Sequence, residues 1–101
     1  MLRIGHAMIS VEFATPRVEE KIAERNLTLD ECIEVLENDP YEIRSGTDAF
    51  GNAKYAAFGE TYGGKFAMVV YVAIRRDLYR VLSARSSLTR HEIRAVRRRH
   101  R

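Results

Sequence analysis

The feature that most constrains the fold is the apolar run over residues 65–75, because an extended chain there carries apolar side chains on both faces. A strand that is apolar on both faces is typical of the centre of a sheet. The Gly63-Gly64 pair just before this run favours a tight hairpin. A turn at Arg76-Asp77 leads into a further strand over residues 78–84. The sequence therefore predicts a sheet built around residues 65–75.

Two more segments have strand character. Residues 54–61 are rich in aromatics and alanine, and residues 41–44 form a weaker pattern. The loop over 45–52 between them is rich in glycine, Asp and Asn. Together with the central hairpin, these segments predict a four-stranded antiparallel sheet. Apolar residues also alternate with polar ones near Val11, so residues 1–12 are predicted to be an extension or a short strand.

The first two helices have clear N-terminal signals. Thr15 precedes a proline and two glutamates follow, which predicts a first helix that ends near Asn26. Thr28 and Glu31 have the spacing of a capping box at the start of a second helix. Pro40 ends that helix, because the residue before a proline disfavours the helical conformation.

The last helix has the most specific signal. Thr89 and Glu92 form another capping box, and Leu88 and Ile93 stand at the positions of a hydrophobic staple around it. The predicted fold is therefore α+β. Two N-terminal helices pack on a four-stranded antiparallel sheet, and a basic C-terminal helix follows.

Length and composition limit the class of protein. A chain of 101 residues predicts one domain over residues 1–101. Cys32 is the single cysteine and lies in an apolar helical pattern, so we expect a buried thiol. His6, His91 and His100 lack metal-ligand spacing, so we predict no metal and no cofactor. With neither a signal peptide nor an apolar run near the ~20 residues that span a bilayer, we expect a cytoplasmic protein without membrane contact.

Positive charge is concentrated at the C-terminal end of the chain. Residues 75–101 contain ten arginines against two acidic residues, whereas residues 1–74 contain twelve acidic residues against seven basic ones. A dense cationic segment attracts polyanions, because phosphate contacts release condensed counterions. The alternatives are a solvated helix face or a disordered basic tail, and residues 97–101 are expected to fray. The acidic stretch over 31–42 could pair with a partner protein or with a second copy.

Cations also cluster near the predicted strand ends. Arg85 closes the last strand, Arg75 and Arg76 close the one before it, and Lys54 opens the first long strand. In a sheet of short hairpins, Lys54 and Arg75 can fall near the same end or face as Arg85. Such groups can hold an RNA phosphate while the 2′-hydroxyl attacks it, without a metal ion.

Glu92 and His91 are the candidate acid and base for that reaction, although Glu92 also fits a purely structural capping role. Tyr55, Tyr71 and Tyr79 can stack on unpaired bases, or they can simply be half-buried sheet residues. The other candidate RNA-binding residues are arginines: Arg17 in the first helix, Arg75 and Arg76, and Arg90, Arg94, Arg97 and Arg98 in the last helix.

Several of these segments resemble one known family. The run over residues 77–85, Asp-Leu-Tyr-Arg-Val-Leu-Ser-Ala-Arg, followed by a helix start with Thr, Arg and Glu, looks like the closing motif of BrnT-type toxins. Residues 27–36 with the terminating Pro40 are similar to the second helix of that family, and residues 54–59 to its arginine-led strand. The similarity covers nearly all of residues 13–99. BrnT-type toxins belong to bacterial type II toxin–antitoxin systems and share the RelE-like fold.

The resemblance implies a function and a partner. It implies a metal-independent endoribonuclease that inhibits translation by cutting RNA. It also implies a DNA-binding antitoxin as partner, with higher-order assembly through the antitoxin. Arg85 matches the motif arginine, Lys54 stands where the strand arginine usually is, and Arg17 stands where the opening lysine usually is.

The chain departs from the family pattern at several positions. Ala14, Asn26 and Val72 stand where the family usually has aspartate, glycine and histidine, respectively. If that histidine is catalytic, the change at Val72 favours an alternative hypothesis. The chain would then be a non-catalytic module that binds nucleic acid or a partner protein on the same fold.

Overall fold

The computed structural model describes residues 2–4 and 8–100, with side chains over residues 10–100. His6 and Arg101 lie outside these described residues. The predicted α+β class is confirmed. The elements, in chain order, are β1 (Leu2–Ile4), β2 (Met8–Phe13), α1 (Pro16–Glu24), α2 (Leu29–Glu37), β3 (Tyr41–Thr47), β4 (Ala53–Glu60), β5 (Phe66–Arg75), β6 (Leu78–Arg85) and α3 (Arg90–Arg99).

The described strands form one mixed sheet of six strands in the order β1-β2-β6-β5-β4-β3. β5 lies inside the sheet, as predicted. Strands β3 to β6 are antiparallel neighbours, but β2 pairs with β6 in parallel and β1 extends the sheet beyond β2. The prediction of a four-stranded, wholly antiparallel sheet is therefore wrong in two respects, because the sheet has two further strands and one of its strand pairs is parallel. The pairing of Ser10 with Leu78 joins distant parts of the chain, and no local pattern records such a contact.

The capping signals are confirmed. The Thr15 side chain accepts a hydrogen bond from a backbone N–H of α1, and Thr28 and Thr89 form complete capping boxes. Asn26 adopts a φ of 62°, the left-handed conformation that asparagine tolerates after a helix. Close approach between α2 and β4 requires Gly59, because a Cβ there would lie 3.1 Å from Val35 Cγ1.

The core lies between the sheet and the helical hairpin of α1 and α2. Ile22 and Ile33 from the helices pack with Val11, Val69 and other buried strand residues in one cluster. Cys32 belongs to this cluster and is a free, fully buried thiol, which confirms its predicted place. Burial raises the pKa of Cys32 to about 12, so this thiol stays protonated.

The other face of the sheet is covered by α3. Val96 is buried there against Ala56 and Phe58 of β4. The helix continues through Arg99, whose guanidinium pairs with Asp39 at 2.9 Å. Residues 97–99 are thus part of α3, and fraying of the segment over 97–101 in solution stays a prediction.

Candidate nucleic-acid interface

Arg85, the last residue of β6, is bonded to the first turn of α3. Its Nη2 donates to Glu92 Oε2 at 2.8 Å, and its Nη1 donates to the carbonyl of Ser87. Glu92 Oε1 accepts from the backbone N–H of Thr89 at 2.8 Å. Desolvation alone raises the pKa of Glu92, but the hydrogen bonds from Thr89 and Arg85 outweigh it and hold this pKa below its ordinary value. At neutral pH Glu92 is therefore a carboxylate that caps α3 and neutralises Arg85.

The start of α2 has the same construction. Glu31 accepts from the backbone N–H of Thr28 at 3.0 Å and pairs with Lys65 Nζ at 2.8 Å. The hydrogen bond from Lys65 is the largest contribution to the lowered pKa of Glu31. No candidate active-site residue lies in this second copy of the motif. The Arg85–Glu92 pair therefore has a structural role, because it links β6 to α3. A role of this pair in catalysis stays a prediction.

Lys54 lies far from Arg85. It is paired with Val72 on β5, whereas Arg85 is paired with Met68 at the other end of that strand. Four residues along β5 and two strand spacings separate their Cα atoms by about 16 Å. Lys54 and Arg85 share the face covered by α3, which is one of the two arrangements expected, but Lys54, Arg75 and Arg85 do not meet at one end of the sheet. His91 is exposed in the first turn of α3, at the Arg85 end.

Three tyrosines form a row on the face that carries α1 and α2. The rings of Tyr55 and Tyr71 stack with centroids 5.5 Å apart, and the rings of Tyr71 and Tyr79 are 4.8 Å apart. The strand register produces this row. Tyr55 of β4 lies opposite Tyr71 of β5, and a register shift between β5 and β6 places Tyr79 of β6 beside Tyr71. Tyr71 is only 4% exposed, whereas Tyr55 and Tyr79 are half-buried. The central ring is therefore held rigidly between two that reach solvent.

A hydrogen bond from the Tyr71 hydroxyl to Glu42 Oε2, 3.1 Å long, fixes the centre of the row. Burial, reinforced by the charge of Glu42, raises the pKa of Tyr71 well above its ordinary value. Burial likewise raises the pKa of Tyr79. Both phenols remain neutral hydrogen-bond donors across the physiological range.

Cations surround the tyrosine row. Arg44 places its guanidinium carbon 5.8 Å from the centroid of the Tyr55 ring. Arg75 and Arg76 are exposed at the β5–β6 turn, and Arg75 makes a surface ion pair with Asp77 at 3.3 Å. We call the resulting depression the tyrosine groove. It has a volume of about 350 Å³ and is lined by Glu42, Tyr55, Tyr71, Ala73, Arg75, Arg76 and Tyr79.

A second cationic groove lies beside α1. Arg17, Lys21 and Arg25 recur at four-residue spacing and therefore line one side of that helix. Arg25 Nη1 donates to the carbonyl of Ala84 at 3.0 Å and to Ser83 Oγ at 3.3 Å, which fixes it against β6. This groove is smaller, at about 190 Å³.

The arginines of α3 form a third surface, separate from both grooves. Arg90, Arg94, Arg97 and Arg98 are exposed. Arg97 lies with its guanidinium carbon 5.7 Å from the centroid of the Phe66 ring. The predicted RNA-binding residues are thus distributed over three surfaces, and only Tyr79, Arg75 and Arg76 meet in one groove.

Sequence reasoning missed several residues of these surfaces. The spacing of Lys21 and Arg25 from Arg17 was a signal that could have identified the α1 groove. Glu42 and Arg44 could be placed at the tyrosine row only from the β3–β4 register, which includes a bulge after Arg44. Outside these surfaces, Arg80 Nη2 lies 3.8 Å from Glu12 Oε1, and this contact follows from the parallel β2–β6 pairing.

Among the side chains of residues 10–100, no three His, Cys, Asp or Glu groups come together as a metal site. Within the described residues, no helix has the length and apolar character to span a membrane. No protein-family model and no curated protein matches this chain.

Proposed function

We propose that this protein is the toxin of a type II toxin–antitoxin system, and that it binds single-stranded RNA in the tyrosine groove and cleaves it without a metal ion. The observation that carries this proposal is the row of three tyrosine rings in contact beside the exposed Arg75 and Arg76. The packing of the α1–α2 hairpin on the antiparallel strands β3 to β6 supports the RelE-like fold that the resemblance implies.

The groove suits unpaired RNA. Aromatic rings stack on bases of any sequence, and each such contact contributes about 1–3 kcal/mol to binding. The half-buried Tyr55 and Tyr79 offer ring surface, while the buried Tyr71 fixes their spacing. Guanidinium groups of Arg75 and Arg76 match the geometry of phosphate oxygens. Double-stranded RNA hides its bases and would not use the rings.

Cleavage requires little more than orientation and charge stabilisation. The 2′-hydroxyl of RNA attacks the adjacent phosphorus and gives up its proton to water, and the bond from phosphorus to the 5′-oxygen breaks as that oxygen takes a proton from water. Negative charge builds up on the phosphorane, where Arg75 and Arg76 would stabilise it. The products are a 2′,3′-cyclic phosphate and a 5′-hydroxyl.

The second candidate is a non-catalytic module that binds RNA or a partner protein. It is favoured by the separation of Lys54 from Arg85 and by the engagement of Arg85 and Glu92 in a capping structure. Those residues together with His91 were the predicted catalytic set, and Lys54 lies apart from the other three. In its RNA-binding form, the module would use the same groove as the first candidate and would differ only in leaving the bound RNA uncut.

Both candidates can be tested on the purified chain with single-stranded RNA in EDTA. We expect cleavage that leaves cyclic phosphate ends, and its loss in the double variant Arg75→Ala/Arg76→Ala. The double variant Arg90→Ala/Arg94→Ala removes the same charge from α3 and should weaken binding but keep cleavage, which separates the groove from the overall charge. Binding without cleavage would select the non-catalytic module. Absence of RNA binding by the folded chain would refute the toxin and the RNA-binding form of the module, and would leave the module that binds a partner protein.

The toxin role also predicts a cognate DNA-binding antitoxin, and growth can report on it. Inducible expression of the chain should arrest bacterial growth, and co-expression of the neighbouring reading frame should restore it. We expect the two proteins to co-purify in a higher-order assembly. Normal growth at high expression of the folded chain would contradict this part of the proposal.

A further inference from the structure

The strand β3 is an open edge of the sheet. It is the last strand in the sheet order, and all seven of its residues are exposed. Tyr41 and Ile43 are 41% and 44% exposed on one face of the strand, which is high for large apolar side chains. An exposed edge with apolar side chains and unpaired backbone groups is a template for another strand.

The order of side chains along β3 is self-complementary. In an antiparallel pair of two identical strands centred on Ile43, Ile43 faces Ile43 of the second copy. Glu42 then faces Arg44 of the second copy, and this contact occurs twice because the symmetry axis repeats it. Opposite charges directly across a strand pair are stabilising, whereas like charges are destabilising.

We propose that two copies of this chain pair through β3, antiparallel and centred on Ile43. The two sheets then continue into one, with an apolar Ile43 contact on one face and two Glu42–Arg44 ion pairs on the other. The pairing does not depend on the proposed RNA-binding function.

The local structure of β3 is compatible with this pairing. Residues 41–44 keep a regular register with β4, so the outer edge of that segment is regular too. The Arg44 Nε donates to the carbonyl of Gly46 at 2.9 Å, and Glu42 accepts from Tyr71 at its Oε2. The Arg44 guanidinium also lies 5.8 Å from the centroid of the Tyr55 ring, but its hydrogen bond to Gly46 uses one of five N–H donors, and the bond from Tyr71 uses one of the two Glu42 oxygens. The bulge after Arg44 limits the paired segment to its first residues.

The geometry also limits the affinity. A strand pair of this length is a small interface, and the two arginine-rich α3 helices would lie on the same face of the joined sheet. We therefore expect a reversible dimer with a dissociation constant in the micromolar range or weaker. In the dimer, Arg44 of the second copy would add a cation beside Glu42 at the tyrosine groove.

Charge reversal tests the pairing. Sedimentation of the full chain over a concentration series should show a monomer–dimer equilibrium. Glu42→Arg and Arg44→Glu should each weaken the dimer by about tenfold or more, because like charges then face each other. The double variant with both changes should dimerise again, since the opposite charges are restored. Glu20→Arg, on the exposed surface of α1, is the matched control.

A cysteine on the axis tests the register directly. Residues paired with themselves have Cα atoms about 4.5–5.5 Å apart, which a disulfide can bridge. Ile43→Cys should therefore form a covalent dimer under mild oxidation, while Tyr41→Cys, which would lie four residues from its symmetry mate, should not. The buried Cys32 does not compete. A wild-type chain that stays monomeric throughout, or a folded double charge variant that fails to dimerise, would overturn the proposal.

Discussion

The charged residues at the two ends of the sheet differ in their contacts. At one end, Arg85 is bonded to Glu92 and Ser87, and the pair fastens α3 to β6. At the other end, Arg75 and Arg76 stand exposed beside a row of aromatic rings. The Arg85–Glu92 pair is half-buried and joins two elements, whereas the ion pair of Arg75 with Asp77 is exposed and lies within one turn, where a ligand phosphate can compete with Asp77. Proximity to a catalytic-looking motif is therefore a weaker guide to a binding site than the partners each charge already has.

The largest effect is expected at the tyrosine row. Tyr71→Ala should lower the free energy of unfolding by about 3–5 kcal/mol, because it leaves a cavity next to the core. Tyr71→Phe keeps the ring and loses only the bond to Glu42, so its cost should be about 1 kcal/mol. Urea denaturation measures both. A loss below about 1 kcal/mol for the alanine variant would mean that the row is not the rigid platform described above.

The arginines at the two ends should separate stability from binding. Arg85→Ala should lower the free energy of unfolding by about 1 kcal/mol, because it leaves Glu92 without its partner. Arg75→Ala should change it by less than about 0.5 kcal/mol, since the Arg75 side chain is 72% exposed. RNA affinity should fall more for Arg75→Ala than for Arg85→Ala. Thermal unfolding and RNA titration of both variants provide the test. If Arg85→Ala loses RNA binding and keeps full stability, the proposed difference between the two ends is wrong.

Acid should weaken the capping structure at the Arg85 end. The pKa of Glu92 is lower in the folded chain than in an unfolded one, so the folded state binds fewer protons in the window between the two values. The resulting stability is present above the ordinary glutamate pKa and is lost as pH falls through the folded value. Glu92→Gln should therefore show a smaller drop in melting temperature from pH 6 to pH 3 than the wild type. Glu31 should behave alike at α2, so Glu31→Gln is the comparison variant.

The smallest effect is expected at the end of α3. Deleting residues 97–101 removes the ion pair of Arg99 with Asp39 and the packing of Arg97 on Phe66, both at the surface, and should leave the fold intact. RNA binding should weaken, and the log–log salt slope should fall by about 0.7 for each phosphate that these arginines neutralise in the full chain. An unchanged slope would show that the α3 arginines are only a solvated helix face.

Local elements could be predicted because their signals lie within a few residues of each other. Thr28 with Glu31 and Thr89 with Glu92 marked two helix starts correctly, since a capping box is a contact between near neighbours in the chain. Likewise, the apolar side chains on both faces of residues 65–75 correctly predicted that β5 lies inside the sheet. The candidate site was only partly predictable: Tyr79, Arg75 and Arg76 do share a groove, but Lys54 and Arg85 do not meet.

The sequence by itself determined the helices, their caps, the hairpins, the buried Cys32 and the concentration of arginine after residue 75. Each of these depends on backbone preference, side-chain period or charge count, which are local properties. Only the tertiary structure decided the parallel β2–β6 pair, the Tyr55–Tyr71–Tyr79 row and the partner of each cation. Those outcomes depend on strand register between distant segments. A shift of one residue turns every side chain to the opposite face, and the register is set by how the whole core packs.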